Sequence, residues 1–377
     1  MNRLFRLISL VALLLLTVQC HNPKAQKSGG EAANDTLVHY ADLLSITRHD
    51  GFTDVAVTNP WDTTRLLHRY LLVPRNEELP ANLPQGTVVR TPLEKTLVYS
   101  SVHASALELL GALDRIGGVC DLAYIKTTAL LDRARQGKLV DAGNSMSPDI
   151  ERVMELSPDA ILLSPFENAG YGRIGKMGIP IIECADYLET SPLGRAEWIK
   201  LLGLLYGKEA EADSLFAQIE QRYNALKEQL EQTGSEPVVI SELKSGSAWY
   251  MPGGKSYMAR LFADAGGAYP WSDNGESGSI PLSFETVFNR AGEADIWLIK
   301  SFNVGQLSYR ALQKEYAPYA RFKAFRNHNI YGCNTAECNY YEETPFRPDL
   351  LLQELAALFH PDRFPHYQFR YFQPLAE

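Results

Sequence analysis

Ser147-Pro148-Asp149-Ile150-Glu151-Arg152-Val153-Met154-Glu155-Leu156-Ser157-Pro158-Asp159-Ala160-Ile161-Leu162-Leu163-Ser164 reads as a short helix running into an apolar strand. The chain repeats the pattern from Leu282-Ser283-Phe284-Glu285-Thr286-Val287 to Ala294-Asp295-Ile296-Trp297-Leu298-Ile299-Lys300-Ser301. In each copy a Ser caps the helix, a Glu sits in its first turn and an Asp introduces the strand. Two matched units more than a hundred residues apart predict two lobes of one architecture, with a ligand between them.

Around the first unit, strands and helices alternate. Leu97-Val98-Tyr99, Val119-Cys120, Ala160 to Leu163 and Ile179 to Ile182 read as strands, with helices at Val102 to Leu113, from Pro148 and near Gly170 to Met177. Such alternation predicts a parallel sheet covered by helices. Around the second unit lie a strand at Val238-Val239-Ile240 and helices at Tyr257 to Ala265 and Pro348 to Phe359. Between the halves, Ser191-Pro192 starts a long helical stretch, and Ala212, Leu215, Phe216, Ile219, Tyr223, Leu226 and Leu230 keep one apolar face. Residues 36 to 98 are strand-rich and broken by Pro60, Pro74, Pro80 and Pro84. The fold class expected is α/β: two α/β lobes with mainly parallel sheets bridged by one long α-helix, plus an N-terminal strand-rich extension. The expected boundaries are 37–190, 191–233 and 234–377, for the first lobe, the bridging helix and the second lobe.

The N-terminus adds a compartment. Arg3 and Arg6 precede an apolar run from Ile8 to Val18, too short to span a bilayer comfortably. Residues 1–19 read as a signal peptide. Cys20 directly after it resembles a bacterial lipoprotein processing site, where the thiol is lipidated; an ordinary cleavable signal or an uncleaved anchor is the alternative. Residues 20–36 then form a flexible tether. The expected location is periplasmic, anchored to a bacterial membrane by lipid. The 377 residues are 45% hydrophobic and carry a net charge of −9, which argues against nucleic acid as a partner. Export permits disulfides. Cys333 and Cys338 flank a turn-like stretch and stand either as a bridge or as two thiols; without a second pair or an adjacent His they point away from zinc.

From Thr96 to Pro361 the chain resembles the substrate-binding proteins of ABC importers for iron–siderophores, haem and cobalamin. The resemblance is carried by both Glu-helix-Asp-strand units, Leu109-Leu110-Gly111-Ala112-Leu113-Asp114-Arg115-Ile116-Gly117-Gly118-Val119, the long mid-chain helix, Ala265-Gly266-Gly267, and Arg347-Pro348-Asp349-Leu350-Leu351-Leu352 leading to His360-Pro361. The extension before Thr96 is longer than the family leads one to expect. The resemblance implies a stiff bridge with modest closure, and one exposed Glu on each lobe, Glu151 and Glu285, docking to basic residues of a membrane permease. It implies a monomer that binds a small-molecule metal complex, an iron chelate, haem or cobalamin, with no resident cofactor and no chemistry.

Ligands of open α/β sheets sit outside the carboxyl ends of the strands. That rule selects Tyr99, Ser101, His103, Tyr124, Phe166 and Tyr187 in the first lobe. In the second it selects Lys244, Trp249, Tyr250, Trp271, Lys300, Phe302 and Tyr341. Flat aromatic faces with polar tips suit a large planar or macrocyclic ligand. Lys244 and Lys300 could pair with anionic groups, and His103 could ligate a haem or a metal. Two other classes compete. A hydrolytic enzyme would need more than Ser100, Ser101 and His103, since no G-x-S-x-G elbow occurs. A capture lipoprotein without a permease would share the binding cleft.

Overall fold

Thr96-Leu97-Val98, buried at every position, opens the regular part of the fold. The computed structural model describes residues 36–231, 236–302, 305 and 307–377; the expected leader, Cys20 and nearly all of the tether lie outside them. Upstream, β1 (Leu44–His49), β2 (Phe52–Thr58), β3 (Leu66–Pro74) and β4 (Thr87–Thr91) form their own four-stranded sheet, antiparallel except between β3 and β4.

The first lobe is a parallel five-stranded sheet. β5 (Thr96–Val98) is followed outward by β6 (Ile116–Val119) and β7 (Val140–Asp141). The small hairpin of β8 (Gly143–Asn144) and β9 (Ser147–Pro148) comes next in the chain. β10 (Ala160–Leu163) and β11 (Ile181–Glu183) then complete the sheet on the other side of β5. In β10, Ala160 and Leu162 join one apolar cluster while Ile161 and Leu163 join another, because alternate side chains leave opposite faces of a covered strand. Helices α1 (Ser101–Leu109), α2 (Thr128–Arg135) and α3 (Ile150–Leu156) belong to this lobe.

The strand-rich extension seals this sheet. The Tyr70 hydroxyl on β3 donates to Ile181 O at 2.9 Å and accepts from Glu183 N at 2.8 Å, so it occupies unpaired backbone groups of edge strand β11. Ile46, Val55, Val57 and Tyr70 extend the lobe's apolar core into the extension.

The stretch expected as one bridging helix, 191–233, holds three: α4 (Pro192–Glu197), α5 (Ile199–Tyr206) and α6 (Glu209–Leu230). Gly207, at φ 65°, ends α5 in the left-handed region that a residue without Cβ adopts at little cost. The 22 residues of α6 still make a rod about 33 Å long. Ala212 and Phe216 at its start pack into the first core; Ile219 and Tyr223 pack into the second.

In the second lobe, β12 (Val239–Ser241), β16 (Ile296–Ser301) and β17 (Ile330–Asn334) run parallel, and β18 (Gln373–Pro374) closes the edge antiparallel. An antiparallel sheet of β13 (Lys244–Ser245), β14 (Ala248–Pro252) and β15 (Ser279–Leu282) lies beside it in the chain. Helices α7 (Tyr257–Asp264), α8 (Phe284–Ala291), α9 (Tyr309–Glu315), α10 (Lys323–Arg326), α11 (Tyr340–Glu343) and α12 (Pro348–Phe359) complete it. Among the described residues no helix is long and apolar enough to cross a membrane.

The repeated Asp has one physical role in both copies. Asp159 Oδ2 accepts the amides of Glu94 (2.8 Å) and Lys95 (3.0 Å), just ahead of β5. Asp295 Oδ2 accepts Val238 N at 2.8 Å, just ahead of β12. Each carboxylate ties its strand to the start of the neighbouring one. The caps differ from expectation in the first copy. Ser147 and Pro148 lie in β9, and Asp149 caps α3 by accepting from Glu151 N (3.1 Å) and Arg152 N (3.2 Å). In the second, Ser283 caps α8 through Thr286 N at 3.1 Å.

Buried carboxylates fasten both outer segments. Glu197 accepts the amides of His39 (2.9 Å), Tyr40 (2.7 Å) and Ala41 (3.0 Å), and Glu189 accepts those of Asp42 and Leu43, both at 3.0 Å. Glu354 on α12 accepts the amides of Arg370 (2.6 Å), Tyr371 (2.8 Å) and Phe372 (2.6 Å). The aromatic C-terminal tail is thus part of the core, with Tyr371 and Phe372 buried.

Candidate functional site

A cavity of about 680 Å³ opens at the carboxyl ends of β5, β6 and β10, where loops leave the parallel sheet. Its walls come from Tyr99 to Ser101 after β5, Asp121 and Tyr124 after β6, the hairpin from Ser145 to Pro148, Ser164 and Phe166 after β10, and the turn from Ala169 to Ile174. The last segment was expected to be a helix; only Ile174–Lys176 makes a 3-10 turn, in a stretch interrupted by Gly170, Gly172, Gly175 and Gly178.

Local bonds hold this wall. Asp121 adopts the left-handed region (φ 51°), and its carboxylate accepts from Asn144 Nδ2 at 3.2 Å and Ser145 N at 3.3 Å, which sets the hairpin against the β6 loop. Tyr171 donates its hydroxyl to Glu183, which His68 Nδ1 of the extension also approaches at 3.0 Å. Burial pushes the hydroxyls of Tyr99 and Tyr171 above their ordinary pKa, and pushes the Cys120 thiol up to about 12. All three are therefore neutral near pH 7, and they add hydroxyls, a thiol and ring faces to a wall whose one carboxylate is that of Asp121.

The wall residues all belong to the first lobe, which the second lobe meets at two points. The ring of Phe302, after β16, lies 6.2 Å from that of Tyr124; the two are 64% and 60% exposed, so both keep faces open to a ligand. Lys126 crosses between the lobes: its Nζ donates to Thr335 O at 2.5 Å and Cys338 O at 2.8 Å and lies 3.4 Å from Glu342. Cys333 and Cys338, at the ends of that loop, are free thiols with sulfurs 3.5 Å apart.

Of the residues chosen from sequence, Tyr99, Ser101, Tyr124 and Phe166 line the cavity. Tyr187 supports it, its ring 6.2 Å from Phe166 and its hydroxyl donating to Pro165 O at 2.6 Å. Phe302, Tyr250 and Tyr341 are exposed on the second lobe. Others are corrected by their surroundings. Trp249, at 0% exposure, packs among Trp297, Tyr319 and Phe322 inside the second lobe. Trp271 is buried against Tyr269, under the Arg290 guanidinium. Lys300 is paired with Glu242, and Lys244 donates to Gly246 O and lies over the Tyr316 ring. His103 is buried, with Nε2 3.0 Å from Asp186 Oδ1 and Nδ1 without a hydrogen-bond partner. Burial alone would raise the Asp186 carboxyl, but the His103 hydrogen bond and the Arg195 guanidinium hold it below the usual range. His103 therefore supports the fold beneath α1 rather than facing a ligand. Glu151 and Glu285 are both exposed in the first turns of α3 and α8.

Sequence reasoning missed Ser145, Met146, Tyr171 and Arg173 as cavity residues. The strand-end rule that found Tyr99 would have found the β7–α3 hairpin, had β7 been recognised.

The chain is 29% identical over 295 residues to an uncharacterized lipoprotein of Methanocaldococcus jannaschii, covering 74% of this chain and 67% of that one. It is 27% identical over 158 residues to the petrobactin-binding protein of Bacillus subtilis, covering 41% of this chain and 48% of that one. A periplasmic haem-binding protein from Pseudomonas aeruginosa shares the fold at a TM-score of 0.58 with 16% identity, over 76% of this chain and 99% of that one. Residues 97–336 match the family described as Periplasmic binding protein, and with well over half its length in that match the chain belongs to this family.

Proposed function

We propose that this protein is the substrate-binding component of an ABC importer, taking an iron complex of the siderophore or haem type into the cavity and delivering it to a permease without chemical change. The observation that carries the reading is the cavity itself. At about 680 Å³ it falls within the usual range of small-molecule sites, roughly 300–1,000 Å³. Its lining of tyrosine and serine hydroxyls and ring faces suits a bulky chelate that brings its metal already ligated. Among the described residues no three His, Cys, Asp or Glu side chains gather as metal ligands. Names borne by relatives, a petrobactin-binding protein and a haem-binding protein, support the same class.

Delivery rests on Glu151 and Glu285, one on each lobe, as contacts for basic permease residues. Lipidation at Cys20 would hold the protein at the membrane. Absorption and fluorescence titration of the purified protein with ferric chelates, haem and cobalamin tests the reading. Saturable binding lost in Phe166→Ala supports it; turnover of the ligand, or no binding by any of these compounds, overturns it.

A further inference from the structure

The charges around the cavity restrict what it can hold. We infer that its ligand is a metal chelate of zero or positive net charge, such as a hydroxamate-type ferric complex or a corrinoid, and not a polyanionic one. The inference rests on the proposed reading of the cavity as the ligand site.

Two lining side chains carry charge, Asp121 and Arg173, and their charges are opposite. The remaining polar lining consists of hydroxyls, and the neighbouring Cys120 thiol, with its pKa at about 12, adds no charge near pH 7. Beyond the lining, Lys176 faces a shallower adjoining pocket beside Arg173, and three further cations already have partners. Lys126 is bound by two carbonyls and Glu342, Lys300 by Glu242, and Lys244 by Gly246 O and the Tyr316 ring. A trianionic chelate would meet a single guanidinium whose field Asp121 offsets. Recruiting Lys126 or Lys300 would leave Glu342 or Glu242 half-buried and uncompensated, and an unpaired buried charge is heavily penalised. A neutral chelate needs only what the wall supplies: ring faces from Tyr99 and Phe166, the Met146 side chain and serine hydroxyls. A single pendant ammonium would find Asp121.

The test is an equilibrium fluorescence titration of the full mature protein with ferrichrome (uncharged), cyanocobalamin (uncharged), ferrioxamine B (one pendant ammonium) and ferric enterobactin (trianionic). At least one of the first three should bind about 10- to 100-fold tighter than ferric enterobactin, the scale expected for uncompensated charge at an effective dielectric constant of about 20. Its Kd should change less than about twofold when salt is raised through the screening range if it is uncharged. Which probe binds separates the hydroxamate source from the corrinoid. Asp121→Asn should weaken a cationic ligand and strengthen an anionic one, each measured relative to an uncharged ligand in the same variant. Ferric enterobactin binding as tightly as the best of the others, and losing affinity in Phe166→Ala, would overturn the charge inference while leaving the site reading intact. Failure of all four with haem, which carries two propionates, still bound would likewise overturn the charge inference alone; failure of haem as well would remove both.

Discussion

Lys126 is the most direct handle on the contact between the lobes. In Lys126→Met its ammonium is removed while the aliphatic stem is kept. Two charge-assisted bonds are lost, to Thr335 O at 2.5 Å and Cys338 O at 2.8 Å, with an ion pair to Glu342 at 3.4 Å. Bonds of this kind contribute about 1.5 kcal/mol each at the lower end, appropriate to a side chain still partly open to solvent. The ion pair adds roughly 0.5–1 kcal/mol. Against this, fixing a lysine side chain costs up to about 2 kcal/mol. The net is about 2 kcal/mol, or close to 30-fold in the equilibrium between the strapped and released loop. Hydrogen exchange at the Cys338 amide, which bonds to Asn334 O, reports this equilibrium directly. The variant should exchange there about 30-fold faster, and Glu342→Gln should recover little in the double variant. Solution scattering should show at most a small expansion, since α6 remains packed into both cores. Unchanged exchange at Cys338 would refute the strut; a large expansion would refute the stiff bridge.

Four further outcomes are expected. Glu151→Ala with Glu285→Ala should abolish uptake in cells while ligand affinity stays unchanged, because both side chains are exposed and neither lines the cavity; normal uptake would end the docking proposal. Tyr70→Phe leaves the buried Glu183 amide without its acceptor and should lower unfolding stability by about 1–3 kcal/mol in denaturant titration. Asp186 has a folded pKa below its unfolded value of 3.8, so its contribution is present above that value and is lost as pH falls through the folded pKa; His103→Gln should move the acid-unfolding midpoint upward. The hydrogen bond from Cys333 holds the Cys338 thiol below its ordinary range, so Cys338 should alkylate at a lower pH midpoint than an ordinary thiol, and Cys333→Ala should shift that midpoint up.

The lobes were legible because their strands are apolar and framed by polar signals. The Asp ahead of β10 and of β16 could be seen as a repeat, although its purpose, binding the amides before the adjacent strand, appears only once β5 and β12 are in place. The strands of the extension were visible; that they cover the edge of β11 through Tyr70 was not, since the contact joins residues 111 positions apart. The cavity wall of the first lobe followed from the strand-end rule at Tyr99, Tyr124 and Phe166. In the second lobe the rule failed at Trp249 and Tyr250 together. They are successive residues of β14, and successive side chains leave opposite faces, so both cannot look the same way. Trp249 went inward and Tyr250 outward. Of the two glycines ahead of α6, Gly203 stays inside α5 and Gly207 ends it, a difference that only the left-handed torsion of Gly207 reveals.

The clasp formed by Glu197 and Glu189 decides where a mechanical load enters the molecule. Tension arriving through residue 36 is taken up by the five amides of residues 39–43, which donate to carboxylates on α4 and the loop before it. That helix contributes Leu193 to one core and Ala196 to the other, so the load falls at the hub of the molecule. The loops around the cavity sit outside this line of force. A pull from the N-terminal side would therefore load the junction of the two cores before it reached the cavity wall.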